Sequence, residues 1–390
     1  MRIYIDADFS HSVSVAQGIE LGVRAALQAA GQQDRFDVVA RDHRANSRRS
    51  FDTVALAASD PHAVAVFGGM HSPPYLTFNQ ELNAHGIPIL LPWSAGAAIT
   101  RGVQGRRNWM FRVSVDDAMA GAFLADEAMN RNCRRPGMVA VDTPWGTGNL
   151  VEVQRQLQAR GARAVGAWRL ETGAGYSEAA RIVQLLENAS VDCLLLFGSS
   201  YSSINIIQNL ALMQRPPTVL SHWGIYGNPN LMDELRVPLA RVDLRVLGTC
   251  GLERMRADPA LVTVAEASAT AAAALPVSIS AMQPPHAFFN AFDATQILLA
   301  ALEKAQASPN WTADADDRRN AIRQALYSLP QPVVGLLATY QQPFDPVQPD
   351  NPDGHEALGK GDLCMQRIDA IGRLRPGTLP LIQQVDEGHP

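Results

Sequence analysis

From its first residues the chain alternates short apolar runs with helix-length amphipathic stretches, and this alternation restricts the fold more than any other feature. "RIYID" (2–6), "FDVVARD" (36–42), "AVAVFGG" (63–69) and "IPILLPW" (87–93) read as strands. Between them, "SVAQGIELGVRAALQAAG", "RSFDTVALAASD" and "YLTFNQELNAHG" place apolar residues at helical spacing, and the first and last end in glycine. A second series starts near residue 117. "GMVAVD", "AVGAWRL", "DCLLLFG", "TVLSHW" and "VLGTCGL" are its strands, separated by helices such as "NLVEVQRQLQARG" and "YSEAARIVQLLENAS". Strands separated by helices in this way form βαβ units, whose parallel sheets are covered on both faces. A long helical region follows, including the alanine-rich "AEASATAAAAL", which favours helix. The last part reads as a strand ("GLLATY"), a Pro/Asp-rich loop ("QQPFDPVQPDNPDGHE") and a strand ("DLCMQRID").

Composition excludes several classes of function. The 390 residues are 47% hydrophobic and 18% charged, which suits a globular chain of two or more domains. A net charge of −5 and two short basic stretches, 48–50 and 101–107, favour neither nucleic acid nor direct membrane insertion. No apolar run has the length to cross a bilayer. The chain opens directly on a strand, so either it is cytosolic or a leader has been removed. The four cysteines form no CxxC pair, and Cys193 and Cys250 sit in apolar runs. They are expected to be buried free thiols, with no structural metal.

Ligands of open parallel sheets bind beyond the carboxyl ends of the strands. That rule selects "DADFS" (6–10), "GGMHSPP" (68–74), "PWSAG" (92–96), "DTPWGTG" (142–148), "GSSYSS" (198–203) and "SHWGIYG" (221–227). Each combines small residues with hydroxyls or a large aromatic ring. Three of the six tryptophans of the chain fall in them, which points to a cleft lined by aromatic faces and hydroxyls. "GSSYS" is not a nucleophile elbow, and neither a P-loop nor a GxGxxG motif is present. His71 has no Cys or Asp partner in sequence to make it a base. No enzyme, cofactor or metal site is expected.

The motifs "VFGGMHSPP", "ILLPWSAGAAIT", "FRVSVDD", "VAVDTPWGTGN" and "LLLFGSSYS", in this order, resemble type I periplasmic binding proteins of the leucine/isoleucine/valine-binding branch, the solute-binding components of ABC transporters. The resemblance covers nearly the whole chain. It implies an α/β fold of two Rossmann-like αβα lobes with parallel central sheets, joined by a three-strand hinge near Val115–Asp117, Gly251–Glu253 and Pro330–Gly335. The lobes would comprise 1–116 with 252–331, and 117–251 with 332–390. It further implies a small polar solute, an amino acid or an amino-acid-like or amide compound, bound between the lobes and delivered to a membrane permease from the periplasm. The same fold also serves as the sensing domain of receptors and regulators.

Carried onto this chain, the resemblance makes Ser72 the holder of the ligand's carboxylate, with His71 beside it. Trp93, Ser94 and Ala95 contribute from the next loop, and Trp145 and Tyr201 close from the second lobe. The family's glutamate, which pairs with the ligand's ammonium, falls on or beside Trp223, next to His222. Neither carries a fixed negative charge, so Asp8 or Asp142 would have to serve, or the ligand is not a plain α-amino acid. Both aspartates also suit a cap or turn.

Overall fold

A computed structural model describes residues 1–103, 107–226, 228, 230–368 and 374–376. The middle of the basic stretch, Gly227 and the end of the expected second lobe lie outside the described residues. The first sheet consists of β1 (Arg2–Ala7), β2 (Asp37–Asp42), β3 (Ala63–Phe67), β4 (Ile89–Leu91) and β5 (Met110–Arg112). All its pairings are parallel, in the order β2-β1-β3-β4-β5. The second contains β6 (Pro136–Val141), β7 (Gly166–Leu170), β8 (Cys193–Phe197), β9 (Thr218–Ser221) and β10 (Leu244–Thr249). Here β7-β6-β8-β9-β10 repeats the first order in parallel. Both are doubly wound sheets whose strand order reverses beside the first strand, where a crevice opens. A small antiparallel hairpin, β11 (Val333–Val334) with β12 (Thr339–Tyr340), stands apart. Then β13 (Leu363–Ile368) and β14 (Leu374–Pro376) extend the second sheet antiparallel.

The helices of the first half are α1 (Val13–Ala29), α2 (Ser47–Ser59), α3 (Ser72–Thr77), α4 (Asn79–Ala84) and α5 (Ala98–Arg101). Those of the second series are α6 (Asp117–Asn130), α7 (Pro144–Ala159), α8 (Tyr176–Asn188), α9 (Ser200–Leu210) and α10 (Leu231–Leu235). The region after β10 forms α11 (Gly251–Ala257), α12 (Pro259–Ala273), α13 (His286–Gln306) and α14 (Ala315–Leu326). α1 shows why these segments fold as they do. Val15, Ile19, Val23 and Ala26 recur at helical spacing and are buried, and the chain leaves the helix at Gly31, whose φ of +63° suits glycine. The buried stripe packs on α13 and α12. Each fully buried Ile or Val contributes about 1.5–3 kcal/mol relative to exposure.

The structure corrects three expectations. First, the cysteines are not free: Cys133 pairs with Cys193 and Cys250 with Cys364. Pairings across 60 and 114 residues of sequence are set by the sheet order, which no local pattern reveals. Second, the crossings are not three strands. Val115 and Asp116 are a loop that caps α6, the Asp116 carboxylate accepting the Ala118 and Met119 N–H groups. Gly251–Glu253 is the first turn of α11, where Gly251 is so close to Phe289 that a Cβ would lie 2.5 Å from its ring.

Third, the chain does not return to the second sheet at Pro330–Gly335. Asp293 of α13 accepts the N–H groups of Leu336 and Leu337 and the hydroxyl of Tyr340. The Pro/Asp-rich loop then lies along β5: Arg112 N–H donates to His355 O, and Ala357 N–H to Arg112 O. The chain rejoins the second sheet at Asp362, whose carbonyl accepts the Cys250 N–H, and continues there as β13. Residues 336–357 therefore pack with the first sheet instead of the second lobe.

Candidate functional site

The carboxyl ends of the two sheets face each other across a cavity of about 250 Å³. The first sheet supplies Ser12, Met70, His71, Ser72, Pro73, Trp93, Ser94 and Ala95; the second supplies Val141, Thr143, Trp145, Thr172, Ser199, Ser200, Trp223, Gly224 and Tyr226. Among the described residues lining it there is no Asp, Glu, Lys or Arg. A larger groove, of about 570 Å³, lies between the C-terminal ends of α1 and α13 and strand β11. It is remote from the strand ends, so the smaller cavity is the candidate site.

Trp93 and Trp223, one from each sheet, stack with ring centroids 4.6 Å apart and planes 4° from parallel. Both are buried. The pair ties the two walls together, and offset stacking adds about 0.5–1.5 kcal/mol to the burial of the rings. Trp223 was expected to face the ligand in place of the family's glutamate; it lines the cavity with its ring against Trp93. Trp145, at the start of α7, meets His222 edge-on at 5.2 Å and donates from Nε1 to Asp117 Oδ1 at 3.3 Å. His222 Nε2 lies 3.2 Å from the same oxygen, without the alignment of a hydrogen bond. Gly224 makes room for Trp145, since a Cβ there would be 2.8 Å from its ring.

The polar groups of the cavity fall into two sets. One set is engaged. Ser72 Oγ accepts the Gly96 N–H at 3.2 Å, which joins α3 to the loop after β4. Ser72 is the first residue of α3 and His71 precedes it as the cap position, so the serine is not itself the cap. Gly96 approaches Ser72 so closely that a Cβ would lie 3.1 Å from the serine Cβ. Thr143 Oγ1 caps α7 through the Gly146 N–H. The Ala95 carbonyl accepts from Arg112 and from the Asp117 N–H.

The other set is buried and without a partner: Ser94 Oγ and Tyr226 OH. Such groups are costly unless something bonds them. Burial pushes the Tyr226 hydroxyl upward, so it stays a neutral donor. Two long helices also start here. Ser12 precedes α1 and Ser199 precedes α9, and neither side chain caps its own helix. The starts of both helices therefore reach the cavity wall through Ser12, Ser199 and Ser200, and their positive dipole ends lie near it.

Of the expected site residues, the structure gathers Ser72, His71, Trp93, Ser94, Ala95, Trp145 and Trp223 around the cavity. It leaves two out. Tyr201 is 59% exposed and absent from the lining; on α9 it is Ser200 that faces inward. Asp8 is buried behind the wall, where its Oδ1 accepts the N–H groups of Ser10 and His11 and its Oδ2 meets His71 Nε2 at 3.2 Å. Burial alone would raise the Asp8 carboxyl, but the bonds from His71 and the His11 N–H outweigh it and hold it well below the usual range. Asp142 is exposed and paired with Arg169. Sequence reasoning missed Ser12, Thr172, Ser199, Ser200 and Tyr226. The last three sit in strand-end segments already singled out: the neighbouring ring of Tyr201 was preferred to the hydroxyls of Ser199 and Ser200, and Trp223 to Tyr226.

Asp8, His43 and His71 bring three ligand-type atoms within 4.8 Å of one another. They do not fit a metal ion. His43 Nδ1 accepts the Ala45 N–H at 3.1 Å, so its buried Nε2 bears the proton and has no lone pair to offer. Burial, helped by the neighbouring His71, lowers His43 to about 4 and keeps it neutral.

Comparison with known proteins places this geometry. Residues 8–231 match the periplasmic binding protein family. No curated protein sequence matches. Among solved structures, an ABC transporter solute-binding protein of R. palustris in complex with 4-hydroxybenzoate superposes with a TM-score of 0.75 at 12% identity, covering 97% of this chain and 96% of its own. Another from the same organism, in complex with benzoate, gives 0.74 at 14% identity over 96% and 94%. A leucine-binding protein of Thermotoga maritima gives 0.72 at 15% identity over 97% of both chains. At these identities the superpositions establish the shared two-lobed fold, and the family match spans more than half of the sequence. The chain belongs to the periplasmic binding protein family.

Proposed function

We propose that the protein captures a small planar solute that bears a carboxylate and no ammonium, closes its two lobes over it, and presents it to an ABC transporter permease. The observation that carries this reading is the character of the lining. Aromatic rings and hydroxyls surround the cavity, and no carboxylate among the described residues faces it. A buried ammonium without an anionic partner costs several kcal/mol, so an α-amino acid is a poor fit. A carboxylate is a good one, because hydroxyls and the N–H groups at the starts of α1 and α9 donate to anions.

Ser72, through its free O–H, Ser94 and Tyr226 supply the polar contacts in this reading. Trp145, Trp93 and Trp223 cover the apolar body of the solute. Benzoate and 4-hydroxybenzoate, bound by two of the structural neighbours, have this chemistry. The two disulfides suit the oxidising periplasm, in which such bonds persist. The reaction is capture and release by hinge motion, the solute shifting the open–closed population. A thermal-shift panel tests it, since a ligand of the folded state raises Tm. Aromatic monocarboxylates should raise it and α-amino acids should not; the reverse pattern would refute the reading.

A further inference from the structure

His71 carries the only imidazole, and the only basic side chain, of the cavity wall among the described residues. Its ring is one-third exposed and points one nitrogen away from the cavity, Nε2 lying 3.2 Å from Asp8 Oδ2. Asp8 is ionised and accepts only, so Nε2 carries a proton whatever the state of the ring. The proton that distinguishes the two states of the ring sits on Nδ1. In the neutral ring it is a lone pair, which repels a carboxylate. In the imidazolium it is an N–H donor with a positive charge. The neighbours of His71 allow the second state. Asp8 offers a fixed negative charge, while His43, whose ring centroid is 5.3 Å away, is neutral. His11 is engaged with Asp8 Oδ1, and Asp6 lies within electrostatic reach of His71, its carboxyl pushed up by burial to about 6. From the second sheet the one titratable lining residue is Tyr226, which stays neutral.

We propose that capture of an anionic solute is coupled to uptake of one proton from solvent at His71 Nδ1, with Asp8 as the positioning residue that holds the ring and stabilises its charge. This rests on the reading of the solute as a carboxylate. The cavity then receives an anion together with its counter-charge, which removes the need for a lysine or arginine in the wall. The sign follows from linkage: a proton bound on capture makes affinity fall as pH rises, by up to about tenfold per pH unit.

Calorimetric titration with benzoate and with neutral benzamide, from pH 6 to pH 9 in two buffers of different ionisation enthalpy, tests the coupling. The expected result is buffer-dependent heat for benzoate, corresponding to proton uptake that approaches one per solute, and none for benzamide. His71→Gln should abolish the uptake and flatten the pH dependence of Kd, and Asp8→Asn should move the uptake to lower pH. A benzoate Kd that is constant over this range without proton uptake would overturn the proposal, as would an unchanged pH profile in His71→Gln. If neither compound binds, the planar-acid reading falls. The His71–Asp8 pair is then judged by NMR of the His71 ring: a titration unaffected by Asp8→Asn overturns its part in the proposal.

Discussion

The cluster around Arg112 and the cleft around Trp145 are both buried and polar, and they share a wall, but they are made of different groups. Behind the loop after β4, Arg112 lies fully buried with Nη1 2.6 Å from Asp116 Oδ2 and Nε 3.6 Å from Glu356 Oε2. It also donates to the carbonyls of Ala95 and Gly96 at 3.0 and 2.7 Å. Arg101 adds a second cation on Asp116, and Thr100 donates to Glu356. Burial pushes the Glu356 carboxyl upward against the pull of Arg112. For Asp116 the balance reverses, because Arg112 and Arg101 outweigh burial and lower it. In front of the same loop, the cleft has hydroxyls, rings and two buried oxygens without partners. The cluster pairs its charges within its own chain, Arg112 Nε and Glu356 Oε2 facing each other as an ion pair without a hydrogen bond, so it supports structure. The cleft leaves donors over, so it is suited to a ligand.

That contrast can be broken from either side. Removing a charge from the cluster should have the largest effect: Arg112→Met leaves Asp116 with Arg101 alone and takes from Glu356 its nearer cation, and should cost about 3–5 kcal/mol of stability in urea unfolding. Cutting the Cys250–Cys364 bond, which ties the start of α11 to β13, should cost about 2–5 kcal/mol by the same assay, whether or not solute is present. In the cleft the order of effects inverts. Ser72→Ala should weaken solute binding by about 1–3 kcal/mol, measured by calorimetry, while changing stability less than Arg112→Met does. Tyr226→Phe is the sharpest case. Its hydroxyl has no partner in the protein, so stability should hold or rise slightly, yet solute affinity should drop by about 1 kcal/mol. Tyr201→Ala, on the exposed face of α9, should change both within about 0.5 kcal/mol.

Much of this was legible in the chain. The alternation of runs announced two parallel sheets, and the strand-end rule picked the loops that line the cavity. The absence of an acid at Trp223 could also be read from the chain, and the described lining holds no carboxylate. What stayed hidden depends on contacts between distant residues. Local pattern cannot say that Cys133 meets Cys193, that the Pro/Asp-rich loop lies along β5, or that Ser72 reaches Gly96 instead of capping its own helix. Side-chain direction on a helix start was also out of reach. Ser200 and Tyr201 are adjacent in sequence, and a turn of about 100° between them decides which faces the cleft.

The contrast between a charge-filled support and a wall without a carboxylate among the described residues is tested most directly by one calorimetric comparison, hydrocinnamate against L-phenylalanine. The two differ only in the ammonium group. A wall without a carboxylate predicts that the acid binds at least about tenfold more tightly, since the ammonium would be buried unpaired. Equal or tighter binding of L-phenylalanine would contradict the account, because it would require a negative charge in the cleft that the described lining residues do not supply.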